Sequence, residues 1–198
     1  MRIVIALTAA SALALSACAD NEPVDPNADT NIDLPTVNDM NATANSAANS
    51  AGAMPAMNFV GGDGQMLGSL SVADTPAGVS LTLAGTGMPA GIHGLHLHAV
   101  GKCDGPKFES AGSHWNPENK MHGTENPQGP HKGDLPNATV AADGSLAQVL
   151  TIQGVTLAQL QDGDGTALVV HASPDDNKTD PSGNSGDRIA CAVIAPAS

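Results

Sequence analysis

The chain has 198 residues, with 20 acidic against 7 basic side chains and a formal net charge of −13. This charge balance excludes nucleic acid as a partner, because phosphate binding needs a basic surface. Aromatic residues make up only 2 % of the chain, so platforms for stacking bases are not expected either. The length fits one domain of ordinary size.

The N-terminus predicts an export signal over residues 1–18. Arg2 precedes an apolar run, Ile3 to Leu15, which is too short to span a bilayer, since spanning takes about 20 apolar residues. The run leads into Leu-Ser-Ala-Cys at Cys18, which resembles a bacterial lipobox. The resemblance implies lipidation of Cys18 and a membrane anchor facing the periplasm, with Ala19 favouring the outer membrane. An ordinary cleaved signal with an incidental cysteine is the alternative.

Residues 19–57 carry six acidic side chains, no basic ones and almost no periodic apolar pattern. Such a segment cannot bury enough apolar surface to offset its ordering entropy, so we predict a disordered tether. The remaining residues, 58–198, are long enough for one hydrophobic core.

The sequence over 58–198 predicts an all-β domain. Short apolar or alternating runs, separated by Gly- and Asp-rich turns, predict an antiparallel sandwich or barrel. The predicted strands are 67–72, 78–83, 92–100, 138–142, 145–152, 166–171 and 188–194, and 57–61 could supply an eighth. One helical turn is indicated at 157–161. Two long segments, 102–133 and 172–187, have no strand pattern, and loops of that length are usually functional or disordered.

All seven histidines lie between residues 93 and 171. His96 and His98 are two apart in a predicted strand, so both side chains leave the same face, a geometry that suits two ligands of one metal ion. His114, His122 and His131 are on the first long loop, and His171 ends a buried-looking strand. Imidazole-rich sets suit zinc and copper, and a carboxylate such as Asp134 among three imidazoles suits a four-coordinate zinc site.

Several motifs in this order resemble those of copper/zinc superoxide dismutase, through nearly all of 58–198. They are Gly-Ile-His-Gly-Leu-His-Leu-His at 91–98, Ser-Ala-Gly-Ser-His-Trp-Asn-Pro at 110–117, His-Gly at 122–123, His-Lys-Gly-Asp-Leu at 131–135 and Gly-Asn-Ser-Gly-Asp-Arg-Ile-Ala-Cys at 183–191. The resemblance implies an eight-stranded Greek-key β-barrel, an immunoglobulin-like sandwich with two long functional loops. It also implies an enzyme that dismutes superoxide to dioxygen and hydrogen peroxide through a copper centre alternating between Cu(II) and Cu(I).

The resemblance assigns a role to individual residues of this chain. It implies copper bound by four histidines and a structural zinc bound by three histidines and an aspartate, with His114 bridging the ions and later supplying a proton. The copper set is His96, His98, His114 and His171, and the zinc set is His114, His122, His131 and Asp134. Asp175 is implied to link a copper ligand to a zinc ligand, and His93 has a structural role.

With Cys18 assigned to lipid, Cys103 and Cys191 remain as an even pair in an exported domain, which favours a disulfide over two free thiols. The resemblance pairs them. It also places Arg188 beside the copper, where a fixed guanidinium can guide superoxide. Lys178 on the same loop reads as a solvated surface side chain. Since the domain carries 6 basic against 14 acidic residues, local attraction has to overcome an overall repulsion.

Two other functions are compatible with parts of this pattern. A non-catalytic copper- or zinc-binding lipoprotein on the same barrel would be expected to lack a copper ligand, and no ligand position is substituted here. A zinc hydrolase lacks an evident carboxylate base beside an open zinc site. The interval from Cys103 to His114 resembles that of bacterial members, whose dimer contacts differ from the eukaryotic ones, so monomer and homodimer both stay open.

Overall fold

The computed structural model describes residues 54–198, and the predicted signal, lipobox cysteine and most of the tether lie outside these residues. The described part contains eight strands, one turn of 3-10 helix and one short α-helix. The strands are β1 (Met57–Gly61), β2 (Met66–Thr75), β3 (Gly78–Gly85), β4 (Gly91–His98), β5 (Asp134–Val140), β6 (Leu146–Gln153), β7 (Thr166–His171) and β8 (Arg188–Ala195). The 3-10 helix is Glu109–Ala111 and the α-helix, α1, is Leu157–Leu160. Among residues 54–198, no helix has the length and apolar character needed to cross a bilayer.

The strands form one antiparallel sheet in the order β5-β4-β7-β8-β1-β2-β3-β6. The two end strands, β5 and β6, also approach each other, and Gln148 Nε2 donates to the Asn137 carbonyl across the gap at 3.3 Å. The sheet is therefore a nearly closed barrel. The predicted eight-stranded antiparallel barrel is confirmed.

The barrel interior is filled by alternate aliphatic residues of the strands. On β3, Val79, Leu81 and Leu83 are at most 1 % exposed, while Thr82 between them is exposed. β2 and β4 contribute Leu70, Val72, Leu95 and Leu97 to the same core. Complete burial of a Val or Leu side chain contributes about 1.5–3 kcal/mol, so this alternation fixes the register of each strand.

The other face of β4 and β7 carries the histidines. His96 and His98 alternate with Leu95 and Leu97, as predicted. The six positions of β4 from His93 to His98 and all six positions of β7 are buried, because the long loops cover the outside of the barrel here. A sheet face that would otherwise meet water is thus buried beneath loops, and the histidine side chains lie between the two layers.

Some predicted strand bounds were wrong. β5 begins at Asp134, four residues before the predicted start, and ends at Val140. Pro136 and Asn137 interrupt the apolar pattern there, which hid the first half of the strand. β4 ends at His98 rather than at Val100. The helical turn near Leu157 is confirmed, and it begins with a capping box between Thr156 and Gln159.

Candidate metal centre

Three elements, β4, β7 and the first long loop, bring the four predicted copper ligands together. His96 and His98 extend from the outer face of β4, and His171 ends the neighbouring strand β7. His114, on the first long loop, forms an isolated antiparallel bridge with His98. One ligand atom from each of these four residues lies within 4.8 Å of the others, and all four side chains are buried.

The inward nitrogens of this first ligand group have no hydrogen-bond partner. They are His96 Nδ1, His98 Nε2, His114 Nε2 and His171 Nε2, the buried side-chain atoms of residues 54–198 that are left unpaired. A buried polar atom without a partner costs about 1–3 kcal/mol, and four of them converging on one point fit a bound cation. A donor set made only of imidazole nitrogens suits copper or zinc.

The opposite ring nitrogens fix the tautomers of these histidines. His98 Nδ1 donates to the Gly112 carbonyl at 2.9 Å, and His171 Nδ1 donates to the Gly186 carbonyl at 3.1 Å. His96 Nε2 donates to a carboxylate oxygen of Asp175 at 2.6 Å. Because each outer nitrogen holds the ring proton, each inward nitrogen presents a lone pair to the group.

The second ligand group is centred on a carboxylate oxygen of Asp134. This oxygen lies 3.0 Å from His114 Nδ1, 2.9 Å from His122 Nδ1 and 3.1 Å from His131 Nδ1. His131 Nδ1 is also 3.4 Å from His114 Nδ1. Ligands about 2.0–2.1 Å from a tetrahedral zinc are separated by about 3.3 Å, so these spacings match a zinc site.

One ligand atom from each of His96, His114, His122 and Asp134 also lies within 4.8 Å of the others. We nevertheless assign His131 to the second group, because its Nδ1 lies close to both Asp134 and His114. The inward nitrogen of His96 already belongs to the first group, and its other nitrogen is bonded to Asp175.

His114 belongs to both groups, through different atoms of one ring. Its Nδ1 lies beside Asp134, and its Nε2 is one of the four unpaired inward nitrogens. One imidazole therefore spans the two groups, as the predicted bridge requires.

Asp175 links the two groups through the outer ring nitrogens of their histidines. Its two carboxylate oxygens accept from His96 Nε2 at 2.6 Å and from His122 Nε2 at 3.0 Å. Gly183 approaches this carboxylate so closely that an added Cβ would overlap Asp175 Oδ1, and its φ of 65° is in the left-handed region. The second long loop can close over Asp175 only with glycine at this position.

Burial keeps the histidines of the first group neutral. It lowers the pKa of His98 to about 2 and the pKa of His171 to about 3, and neighbouring histidines add to both shifts. Burial also lowers the pKa of His114 to about 4, although its bond to Asp134 opposes the change. Neutral imidazole is the form that binds a metal ion.

The carboxylates dominate the second group. Burial would lower the pKa of His122, but its bonds to Asp134 and Asp175 outweigh burial and raise that pKa to about 9. Burial alone would raise the pKa of Asp134, but hydrogen bonds from His114 and His122 outweigh burial and hold this pKa well below its usual range. In the metal-free protein, a proton on His122 partly balances the negative charge that would attract a cation.

Arg188 lies at the edge of the first group and is half-buried. Its Nη1 donates to the Phe108 carbonyl at 2.6 Å and its Nη2 donates to the Gly112 carbonyl at 2.7 Å. Burial lowers the pKa of Arg188 from its usual range, but a guanidinium stays charged near neutral pH. The side chain lines a cavity of about 440 Å³. The other lining residues are His98, Gly112, Ser113, His114, His171, Pro181, Ser182 and Gly186.

Cys103 and Cys191 form the disulfide that the resemblance implied, and their Cα atoms are 5.7 Å apart. The bond connects the first long loop to β8, three residues beyond Arg188. His93, the one histidine in neither ligand group, is buried. Its Nδ1 lies 2.8 Å from the His171 carbonyl and its Nε2 lies 2.9 Å from the Pro89 carbonyl, which agrees with a structural role.

Sequence reasoning missed two positioning residues. Asn137 on β5 uses both ends of its amide on the backbone of Asp175, accepting from its N–H at 2.8 Å and donating to its carbonyl at 2.9 Å. Phe108 provides one of the carbonyls that hold Arg188. Asn137 sits inside a strand, where Asn is unusual, and that was the available signal. No local signal pointed to a backbone carbonyl at Phe108.

Residues 66–194 match the family described as copper/zinc superoxide dismutase (SODC). The chain is 41 % identical over 138 residues to superoxide dismutase (Cu-Zn) 1 of Aquifex aeolicus, covering 66 % of this chain and 81 % of that protein. The chain therefore belongs to the copper/zinc superoxide dismutase family. This family uses copper and zinc, and the histidine groups described above could bind such ions.

Two solved structures agree with the fold. The crystal structure of a superoxide dismutase-like protein from Bacillus subtilis has a TM-score of 0.69 and 35 % identity, covering 72 % of this chain and 99 % of that one. The Cu/Zn superoxide dismutase from Brucella abortus has a TM-score of 0.62 and 27 % identity, with coverage of 72 % and 99 %.

Proposed function

We propose that the chain catalyses the dismutation of superoxide. One superoxide is oxidised to dioxygen, and a second takes up that electron and two protons to become hydrogen peroxide. The observation that carries this proposal is the set of four unpaired imidazole nitrogens, because three of their histidines, His98, His114 and His171, line the same cavity as Arg188. An unsubstituted copper-type ligand set beside a cation for the anionic substrate favours an enzyme over a storage site.

The two ligand groups have different tasks in this proposal. His96, His98, His114 and His171 would hold copper, which supplies the one-electron Cu(II)/Cu(I) couple that links the two half-reactions. His114, His122, His131 and Asp134 would hold zinc, which has no accessible redox change and is structural.

The chain's own groups bind and protonate the substrate. Arg188, fixed by two carbonyls, presents its remaining N–H groups and its charge to a small anion in the cavity. His114 stays bonded through Nδ1 to the second group, so its ring keeps its orientation when Nε2 carries a proton. We assign to His114 Nε2 the delivery of one proton to the peroxide product.

A non-catalytic metal-binding protein is the second candidate, and a specific observation favours it. The Bacillus subtilis relative, with 35 % identity and a TM-score of 0.69, is named superoxide dismutase-like rather than superoxide dismutase. The distinction depends on whether the first group holds copper in a form that reacts with superoxide.

A matched pair of variants tests the proposal on the full chain. His98 belongs to the first group alone and His131 to the second group alone. We expect one copper and one zinc per wild-type chain, with superoxide consumption. His98→Ala should lose copper and activity but keep zinc, whereas His131→Ala should lose zinc before it loses copper. A wild-type chain that binds both ions without consuming superoxide would favour the second candidate.

We also propose that Cys18 carries a lipid that anchors the protein to a bacterial membrane on its periplasmic side. The support is the Leu-Ser-Ala-Cys sequence after a short apolar run. Cell fractionation of the wild type and Cys18→Ser tests this: the variant should leave the membrane fraction. Membrane attachment that survives the substitution would contradict a lipid anchor at this cysteine.

A further inference from the structure

A second, smaller hydrophobic cluster lies on the outside of the barrel. It consists of Phe108 and Ala111 from the first long loop, Ala167 and Val169 from β7, and Cys191 from β8, with Val60 and Cys103 packed against it. Phe108 is 1 % exposed. The ring is therefore as deeply buried as the residues of the main core, although it belongs to a loop.

This outer cluster is adjacent to the first ligand group on the same face of the sheet. Ala167 pairs with His98 and Val169 pairs with His96 across β4 and β7. Val169 also pairs with Cys191 of β8. The packing of Phe108 against these residues therefore holds the first long loop against β4 and β7, next to two histidines of the group.

The backbone at Phe108 is held in an uncommon conformation. Its φ of 55° and ψ of 28° are left-handed, which is rare for a bulky residue, and it immediately precedes the 3-10 helix Glu109–Ala111. Its carbonyl accepts from Ala111 N at 3.2 Å as well as from Arg188 Nη1. Burial of the ring is the contact that can compensate for the cost of this conformation.

The two carbonyls that hold Arg188 flank this 3-10 helix on either side. The Phe108 carbonyl precedes it, and the Gly112 carbonyl follows it and also accepts from His98 Nδ1. The position of the guanidinium relative to His98 thus depends on the loop between these carbonyls. Phe108 is the largest buried side chain of residues 108–112, the part of the first long loop between these carbonyls.

We propose that Phe108 is a positioning residue for Arg188: its buried ring anchors the loop whose carbonyls hold the guanidinium beside the first ligand group. This inference rests on the proposed function, in which Arg188 binds superoxide. Loss of the ring leaves Arg188 in the chain but frees its side chain to sample other orientations. Displacement of such a group by about 1 Å can lower a rate by up to about a hundredfold.

The chain offers a matched control. Phe59, its only other phenylalanine, is 0 % exposed and belongs to the main barrel core rather than to the outer cluster. Phe108→Ala and Phe59→Ala remove the same atoms, and the milder Phe108→Leu and Phe59→Leu serve if an alanine variant does not fold. All are made in the full chain.

The first readout does not depend on activity. Arg188 and Arg2 are the only arginines of the chain, so guanidinium NMR signals of the zinc-loaded protein are readily assigned. In the wild type, hydrogen bonds to two carbonyls should slow rotation and give resolved Nη signals for Arg188. The Phe108 variants should merge these signals, and the Phe59 variants should not. Resolved signals in both Phe108 variants, or equal merging in the Phe59 variants, would overturn the inference.

The second readout is superoxide consumption by the copper- and zinc-loaded chain at low ionic strength. Phe108→Ala should lower the rate by about tenfold, as should Arg188→Ala, and the double variant should be no slower than Arg188→Ala alone. Additive losses would overturn the inference. An inactive loaded wild type would instead contradict the proposed function, while the NMR result would still decide whether Phe108 positions Arg188.

Discussion

At the scale of single residues, the site depends on oxygen atoms that orient nitrogen atoms. Asp175, the Gly112 carbonyl and the Gly186 carbonyl each accept a ring N–H, and each bond turns a lone pair toward the first ligand group. The histidines of the site could be singled out from the sequence because they cluster and because His96 and His98 share one face of a strand, and the resemblance assigned them to two sets. The orienting carbonyls could not, since any residue type can supply them.

Arg188 is expected to act through both its charge and its fork of N–H groups. Arg188→Ala should lower superoxide consumption at low ionic strength by about tenfold or more, within the range of electrostatic steering. The rate of Arg188→Lys should lie between those of the wild type and Arg188→Ala, because an ammonium keeps the charge but cannot donate in the planar geometry that reaches two carbonyls. Stopped-flow decay of superoxide with parallel metal analysis measures this. Unchanged rates with normal metal content would remove Arg188 from the mechanism.

Asn137 is expected to influence both ions although it contacts neither group. Asn137→Ala removes both amide bonds to the backbone of Asp175, which contacts one histidine in each group. We expect affinity for copper and zinc to fall by about tenfold, the lower end for partners of metal ligands. Competition with a chelator measures both affinities. Thr139→Ala, on the exposed face of β5, is the control, and equal affinities in the two variants would contradict a positioning role.

At the scale of elements, two long loops convert the outer face of β4 and β7 into an interior. The sequence pattern predicted the strands well where apolar residues alternate, as on β3. It failed at the start of β5, because Asp134 and Asn137 there serve the site rather than the core. Functional residues break the local pattern, so strand prediction is weakest where the site is built.

The disulfide is expected to stabilise the first loop against β8. Cys103 and Cys191 are 88 residues apart, and cross-linking a loop of that length contributes about 2–5 kcal/mol to the free energy of unfolding. The double variant Cys103→Ser, Cys191→Ser should lose stability by that amount in urea titrations. Reductant should lower the wild type toward the variant and leave the variant unaffected. Equal unfolding midpoints under oxidising conditions would contradict this role.

At the scale of the whole molecule, charge is distributed unevenly. The domain over 58–198 carries 14 acidic and 6 basic residues, and the basic ones fall in the segments 102–107, 120–132 and 178–188. These segments belong to or flank the two long loops that cover the site. The overall negative charge of the domain therefore opposes an anionic substrate. Of its six basic side chains, Arg188 is the one that lines the cavity beside the first ligand group.

The metal-free protein is expected to lose stability in acid. His98, His171 and His114 have pKa values of about 2, 3 and 4 in the folded state, below the usual value near 6.5. Between about pH 6.5 and pH 4 the unfolded chain binds protons that the folded chain does not. The free energy of unfolding therefore decreases as the pH is lowered through this range. Each histidine contributes up to about 1.4 kcal/mol per pH unit in this window.

His122 has the opposite sign. Its pKa is raised to about 9, so its contribution is complete below about pH 6.5 and is lost as the pH rises toward 9. It does not oppose the loss in acid. Urea unfolding of the metal-free full chain at pH 7.0 and pH 5.0 measures the effect, and an equal or higher midpoint at pH 5.0 would contradict it.

The central claim is that the copper- and zinc-loaded chain is a catalyst for superoxide. Stopped-flow measurement of superoxide decay by the full chain tests it most directly, with the zinc-only chain as the control. We predict a rate constant that approaches the diffusional ceiling of about 10⁸–10⁹ M⁻¹s⁻¹, which superoxide dismutases are known to reach, and no catalysis by the control. Decay no faster with the loaded chain than with the zinc-only chain would contradict the account.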